Sequence, residues 1–508
     1  MGMSRSGFLA CAFLALAASG APASEGGASS ATLVSVAIEG SESADLDDLR
    51  EALGPWKEDA PWSEEGSERA HAALRTFYRN RGFLEVAVST RAEVFASSSS
   101  WAAAVTEGPR FRFGVTRVSG LDRVRERVVR LERAYGEGEF FSPQKLFDTQ
   151  RRLYDSRLFE DVSIRTSTTA ARTVEVAIEV RERRAKWIKT GVGYGSDERQ
   201  RANLTLTHRN LLGRGYLAET AADLSAIWLE FRGEFVNRRL FATETEARLR
   251  GSWRREDRAG YDIEQSQGRV SLSRDLGFDL QAAAHYRVSR TVAFHVDPDI
   301  LETTPDETVS GTVGLGLERD TADDIFFPSR GTRSALLLER TGGFFGGNVH
   351  FLRAALDGSL YHRLWRSLLA AGRVRAGALK PTGRTVEIPV YERFFTGGAS
   401  SVRGYRERHI GPFNALGSPL GGDIQLGASA ELRLPLFWRF TAAAFVDGGQ
   451  VGQRLNFVEP SRWKWGSGLG LRVRTPVGPF RADFGYKLNP DPGDADLWRL
   501  HLSLGEAF

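Results

Sequence analysis

Trp498-Arg499-Leu500-His501-Leu502-Ser503-Leu504-Gly505-Glu506-Ala507-Phe508 closes the chain as a strand with two unlike faces. Trp498, Leu500, Leu502, Leu504 and Phe508 share one parity, and Arg499, His501, Ser503 and Gly505 share the other. Successive side chains on a strand point to opposite faces, so one face is apolar and one polar. Lipid on one side and a watery lumen on the other require this division. Glu506 interrupts the apolar face near the membrane edge, where a charge costs little.

The same pattern extends backwards. From about Trp187, strand-like segments of about ten residues recur between polar or Gly/Pro turns. Ala202 to His208, Thr243 to Trp253, Arg333 to Glu339 and Leu426 to Leu434 are clear cases. We count about sixteen, and an even number suits a closed barrel, which leaves no strand edge in lipid. Composition agrees. The 508 residues include 54 Gly but only 18 Pro, which fits a sheet-rich chain with many tight turns. A hydrophobic content of 41% is low for a helical membrane protein and suits a barrel that shows lipid every second residue. The net charge of +4 gives no case for nucleic acid. After the N-terminus, no segment reaches the roughly 18 uncharged apolar residues of a membrane helix.

The N-terminus reads as a secretory signal over residues 1–23. Arg5 supplies the positive charge, Phe8 to Ala18 the apolar run, and Ala21-Pro22-Ala23 the cleavage site. Leu9-Ala10-Cys11 offers a lipoprotein alternative, although it leaves almost no apolar segment before the cysteine. Cys11 is the only cysteine, so cleavage after Ala23 leaves no thiol and no disulfide.

Two similar units occupy 24–108 and 109–185. In the first, Val34, Val36 and Ile38 alternate as a strand ending at Gly40, and Leu46, Leu49 and Leu53 recur at helical spacing. A second helix is expected from about Ser63 to Asn80, then a strand with Leu84, Val86 and Val88, and a third strand from Trp101. The second unit repeats the order. Val118-Ser119-Gly120 matches Ile38-Glu39-Gly40, a helix is expected around Leu121 to Arg133, and Ser142-Pro143 starts another. Each unit is therefore β-α-α-β-β.

The chemistry of a catalyst is not apparent. The eight histidines are scattered without metal-ligand spacing. Gly191-Val192-Gly193-Tyr194-Gly195 and Gly466-Ser467-Gly468-Leu469-Gly470 do not precede a helical pattern, so they read as strand glycines rather than phosphate loops. Ser400 and Ser429 lack a nucleophile elbow. We expect no enzyme, no catalytic residue, no metal and no cofactor.

The barrel region is broken by an unpatterned loop, 380–421, containing Phe394-Phe395-Thr396-Gly397-Gly398-Ala399-Ser400-Ser401-Val402-Arg403-Gly404-Tyr405. Long loops of this kind are usually functional. An arginine among small residues suits a loop folded into a polar lumen, where it can meet a carboxylate. Signal, tandem units, barrel and Val402-Arg403-Gly404-Tyr405, in that order, resemble the BamA/TamA superfamily of outer-membrane assembly factors. The resemblance implies two tandem POTRA-like domains followed by an all-β transmembrane barrel of about 16 antiparallel strands. It implies that Arg403 binds Asp447 of Phe445-Val446-Asp447-Gly448-Gly449 inside the barrel, with Glu431 nearby. Phe326-Phe327-Pro328-Ser329-Arg330-Gly331 resembles a structural turn of the family. The loop motif, Pro419-Leu420-Gly421-Gly422 and Thr475-Pro476-Val477-Gly478-Pro479 are most similar to TamA. TamA relatives usually carry three POTRA domains and BamA five, against two here.

What the resemblance implies about function is an insertase in the outer membrane of a Gram-negative bacterium, its POTRA-like domains in the periplasm. Unfolded outer-membrane proteins are the implied clients, and a TamB-like periplasmic or inner-membrane protein is an implied partner. A client strand would pair at a lateral seam between the first strand, bearing Gly191, Gly193 and Gly195, and the last, bearing Leu504 and Phe508. The alternative is a two-partner secretion transporter, which shares the barrel and carries two POTRA domains. Such transporters usually begin with a plug helix, for which the stretch before Leu33 leaves no room.

Overall fold

The computed structural model describes residues 31–504 except 366, 454–459, 476–477 and 493. The expected signal, with Cys11, and the seam residue Phe508 lie outside the described residues.

The first βααββ unit comprises β1 (Thr32–Glu39), α1 (Leu46–Leu53), α2 (Glu64–Asn80), β2 (Ala87–Val94) and β3 (Ser98–Thr106). Its sheet order is β1-β3-β2, with β1 parallel and β2 antiparallel to β3. Ser63 caps α2, its hydroxyl accepting the Gly66 N–H at 3.0 Å. Ala70, Leu74 and Tyr78 then share one buried face of α2 against Leu33, Leu49 and Trp101. The strand expected from Leu84 begins later, at Ala87. Phe83 and Val86 are buried as turn residues instead, so the core takes those side chains before the strand starts.

The second unit repeats the order with β4 (Arg112–Ser119), α3 (Glu126–Glu132), α4 (Pro143–Asp155), β5 (Phe159–Thr168) and β6 (Thr173–Glu182), in sheet order β4-β6-β5. The repetition reaches single atoms. Gly40 and Gly120 both have positive φ, and an added Cβ would lie 2.2 Å from Val105 O and 1.9 Å from Val180 O respectively. The Glu107 carboxylate accepts the N–H groups of Glu42 and Ser43. That of Glu182 accepts those of Asp122, Arg123 and Val124. This clamp explains why α3 starts at Glu126 and not at Leu121: the preceding N–H groups are held by a carboxylate sixty positions away.

Two compact units emerge from the contacts. The second contains Val118–Arg133, Gln150–Ser163 and everything from Ile178 onward. Its sixteen antiparallel strands run from β7 (Lys186–Gly195) to β22 (Trp498–Leu504), each paired with its neighbour in the chain. The alternation has the expected consequence. On β22, Trp498 and Leu500 are exposed on the outside while His501 is buried. The turn at Phe326 is held by two aspartates. Asp323 accepts Ser329 N at 2.7 Å and Ser329 Oγ at 2.6 Å, and Asp324 accepts the N–H groups of Phe326 and Phe327. The Ser329 bonds hold the Asp323 carboxyl down to about 2.

Candidate functional site

The long loop lies between β17 (Leu368–Pro381) and β18 (Ile424–Pro435). It folds against the inner faces of β18, β19 (Phe440–Gly452), β20 (Lys464–Thr475) and β21 (Gly478–Lys487). Arg403 is buried and grips Asp447 in a fork, Nε to Oδ2 at 2.7 Å and Nη2 to Oδ1 at 2.8 Å. Its backbone N–H donates to the same carboxylate at 3.1 Å. Nη1 reaches Glu431 at 2.9 Å and Asp483 at 3.3 Å. The guanidinium also lies 3.4 Å from the centroid of the Phe445 ring.

These acids are shared. Glu431 accepts from Arg433 at 2.6 Å and from Arg472 at 2.8 Å, and Arg472 also reaches Asp483 at 3.3 Å. Ser429 donates to Asp447. Burying single charges would cost several kcal/mol each. Here three carboxylates and the guanidiniums of Arg403, Arg433 and Arg472 offset one another's charge.

Close approach requires glycine on the wall. A Cβ on Gly466 would lie 2.0 Å from Arg403 O, and one on Gly485 would lie 2.5 Å from Gly404 N. Gly404 itself has φ +100°, where side chains are strained. Val402 is buried against Gly449, whose added Cβ would lie 2.8 Å from it. Tyr405 donates its hydroxyl to Asn489 O at 3.1 Å.

Arg403, Asp447 and Glu431 are thus in contact. Asp483, Arg433, Arg472 and His501 also hold the site, and the sequence reading passed over them. Their signal is parity: Arg481, Asp483 and Gly485 alternate with Phe480, Ala482, Phe484 and Tyr486 along one strand.

The loop also reaches both ends of the sheet. Asp197, in the hairpin after β7, accepts Ala399 N–H at 2.9 Å. Burial pushes its carboxyl above the usual range, against the lowering effect of that bond and of nearby arginines. His501 on β22 accepts Gly404 N–H through Nε2 at 3.2 Å. Its Nδ1 lies 3.5 Å from Ser196 Oγ and 3.8 Å from Asp197 Oδ1. Serine, histidine and aspartate are the residues of a hydrolytic triad. In such a triad the two ring nitrogens face serine and acid separately. Here one nitrogen faces both and the other holds the loop.

β7 and β22 are the two ends of the sixteen-stranded order, and among the described residues no paired register joins them. Ser196 N donates to Leu502 O at 3.0 Å across the gap. Gly191, Gly193 and Gly195 lie on β7. An added Cβ would lie 2.3 Å from the Asn203 side chain at Gly191, 3.9 Å from Arg201 Nε at Gly193 and 3.9 Å from Leu502 O at Gly195. Leu504 ends the described part of β22, paired with Phe480.

The sixteen-stranded meander has counterparts. Residues 210–508 match the family model of the Omp85 superfamily domain. The chain belongs to the Omp85 superfamily. This Omp85 chain is 26% identical over 452 residues to the outer membrane protein assembly factor BamA of Nitratidesulfovibrio vulgaris, covering 86% of this chain and 56% of that protein. It spans about half the length of the curated relatives it matches. The crystal structure of BamA from Haemophilus ducreyi lacking POTRA domains 1–3 superposes with a TM-score of 0.70 at 16% identity, over 93% of this chain and 99% of that one. CdiB from Escherichia coli superposes with a TM-score of 0.57 at 17% identity, over 95% and 92%. At these identities the superpositions speak for the fold alone.

Proposed function

We propose that this Omp85 barrel assists the folding and insertion of β-barrel or autotransporter-type proteins into the outer membrane, by pairing a client strand at the seam. The observation that carries the reading is the pair of sheet ends, β7 and β22, without a joining register among the described residues. A sparsely paired edge in lipid is costly, so a client strand arriving with its own unpaired groups gains free energy by adding to it. No covalent step is needed. The two βααββ units act as POTRA-like periplasmic modules that hold unfolded segments or dock a partner. The loop and turn motifs favour a TamA-like specialisation, and a TamB-like partner belongs to that reading.

Depletion followed by quantitative proteomics of the outer membrane tests it. Loss of a small subset of barrel proteins supports the TamA-like specialisation, and loss of nearly all of them supports the general BamA role. Loss of one secreted polypeptide with barrels intact would establish the transporter reading instead. A pair of cysteines placed across the seam, with both side chains on one face of the two strands, tests it: if the oxidised barrel assembles clients as well as the reduced one, lateral opening is not the mechanism.

A further inference from the structure

At the barrel end where β7 begins, the turns between strands carry exposed apolar tips: Leu212, Phe241, Phe278, Phe326, Trp365 and Trp438. Phe241 is 88% exposed and Phe278 92%. A band of this kind marks the level of a membrane interface. Beside Phe241 is a cavity of about 350 Å³ lined by Arg125, Arg127, Arg214, Arg238 and Arg239. Glu132 is the acid in its lining, and Arg239 occupies it through Nε at 3.1 Å and Nη2 at 2.5 Å. Arg238 donates to the Asp155 carbonyl at 2.9 Å. Among the described residues, the guanidiniums of Arg125, Arg127 and Arg214 have no carboxylate partner. Arg157, Arg183 and Arg209 line an adjoining recess, where the Glu182 carboxylate is held by backbone N–H groups.

The cavity is built on fixed backbone. Arg125 N donates to Gly213 O at 2.8 Å, and a Cβ on Gly213 would lie 2.8 Å from Arg123 O. A Cβ on Gly215 would press on Leu158 and Val128 at 3.1 and 3.2 Å. Phe241 and Ala242 both occupy the left-handed region, at φ 51° and 63°, which turns the Phe241 ring outward.

Unpaired guanidiniums favour a phosphate, which accepts bidentate bonds. The apolar edge of the cavity favours a phosphate that carries acyl chains. We propose that this cavity binds the headgroup of an anionic phospholipid, with Leu240 and Phe241 against its chains. The inference needs the barrel to be in a membrane and does not rest on the assembly reading.

The test is native mass spectrometry of the full chain in mixed micelles containing phosphatidylglycerol and phosphatidylcholine, without clients. Wild type should retain phosphatidylglycerol preferentially. Arg125→Glu with Arg127→Glu should lower its occupancy by roughly fivefold per arginine, and Phe241→Ser should lower it as well. Heat-modifiable gel mobility reports whether each variant is folded, and Arg214→Gln replaces any variant that is not. Undiminished occupancy in folded arginine variants overturns the proposal. So does displacement by inorganic phosphate with no effect of Phe241→Ser, which would indicate a free-anion site. Absence of retained lipid in wild type also overturns it. Client assembly is measured separately, so either reading can fail alone.

Discussion

His501 Nε2 accepts the backbone N–H of Gly404 at 3.2 Å, so the last strand of the sheet holds the centre of the lumen loop. Asp197, in the first hairpin, holds Ala399 five residues earlier. One loop is therefore fastened on both sides of the seam. Drawing β7 away from β22 stretches one of these bonds unless the loop moves.

Replacing His501 by Ala leaves the Gly404 N–H buried without its acceptor, at a cost of about 1–3 kcal/mol. Hydrogen exchange at Gly404 should accelerate while the Arg403–Asp447 fork persists. Unchanged exchange would mean that the histidine does not hold the loop.

Asp447→Ala strands the Arg403 guanidinium beside its remaining partners and should destabilise the barrel by about 3–5 kcal/mol. Arg403→Lys keeps the charge but loses the fork, and should cost less. The temperature at which the compact band unfolds in semi-native electrophoresis reads both. An Asp447→Ala shift no larger than that of the exposed Asp496→Ala would refute the ranking.

Gly466→Ala and Gly485→Ala place methyl groups where Arg403 O and Gly404 N now lie, at 2.0 and 2.5 Å. Both contacts are with backbone, so the loop must move out. Trypsin should then cut at the now buried Arg403 in folded variants and spare that bond in the wild type. Equal resistance would show that the wall yields instead.

Asp197 gives a pH dependence. Its folded carboxyl is raised above the usual 3.8 by burial. The resulting contribution to stability is complete below the unfolded value and is lost as pH rises through the folded one. Thermal stability should decline over that window in wild type and not in Asp197→Asn. Parallel profiles would remove Asp197 as the source.

Strand parity on Trp498–Leu504, the two βααββ repeats and the pairing of Arg403 with Asp447 were all legible in the chain, the last through motif resemblance. Local chemistry explains this. A strand facing lipid and water must alternate, and the turns at Gly40 and Gly120 admit only glycine because Val105 and Val180 carbonyls lie against them. The start of α3 was misplaced because Glu182 acts from sixty positions away. Arg433, Arg472 and Asp483 were passed over although their parity faces the lumen, because parity gives a side chain its face and not its partner.

Which residues face lipid, where the strands turn and that a polar loop interrupts them can be read along the chain, since each depends on near neighbours. What the loop touches is set by the folded barrel. Ala399 meets Asp197 across 202 positions and Gly404 meets His501 across 97. Those contacts exist only when sixteen strands bring the first hairpin and the last strand to one place.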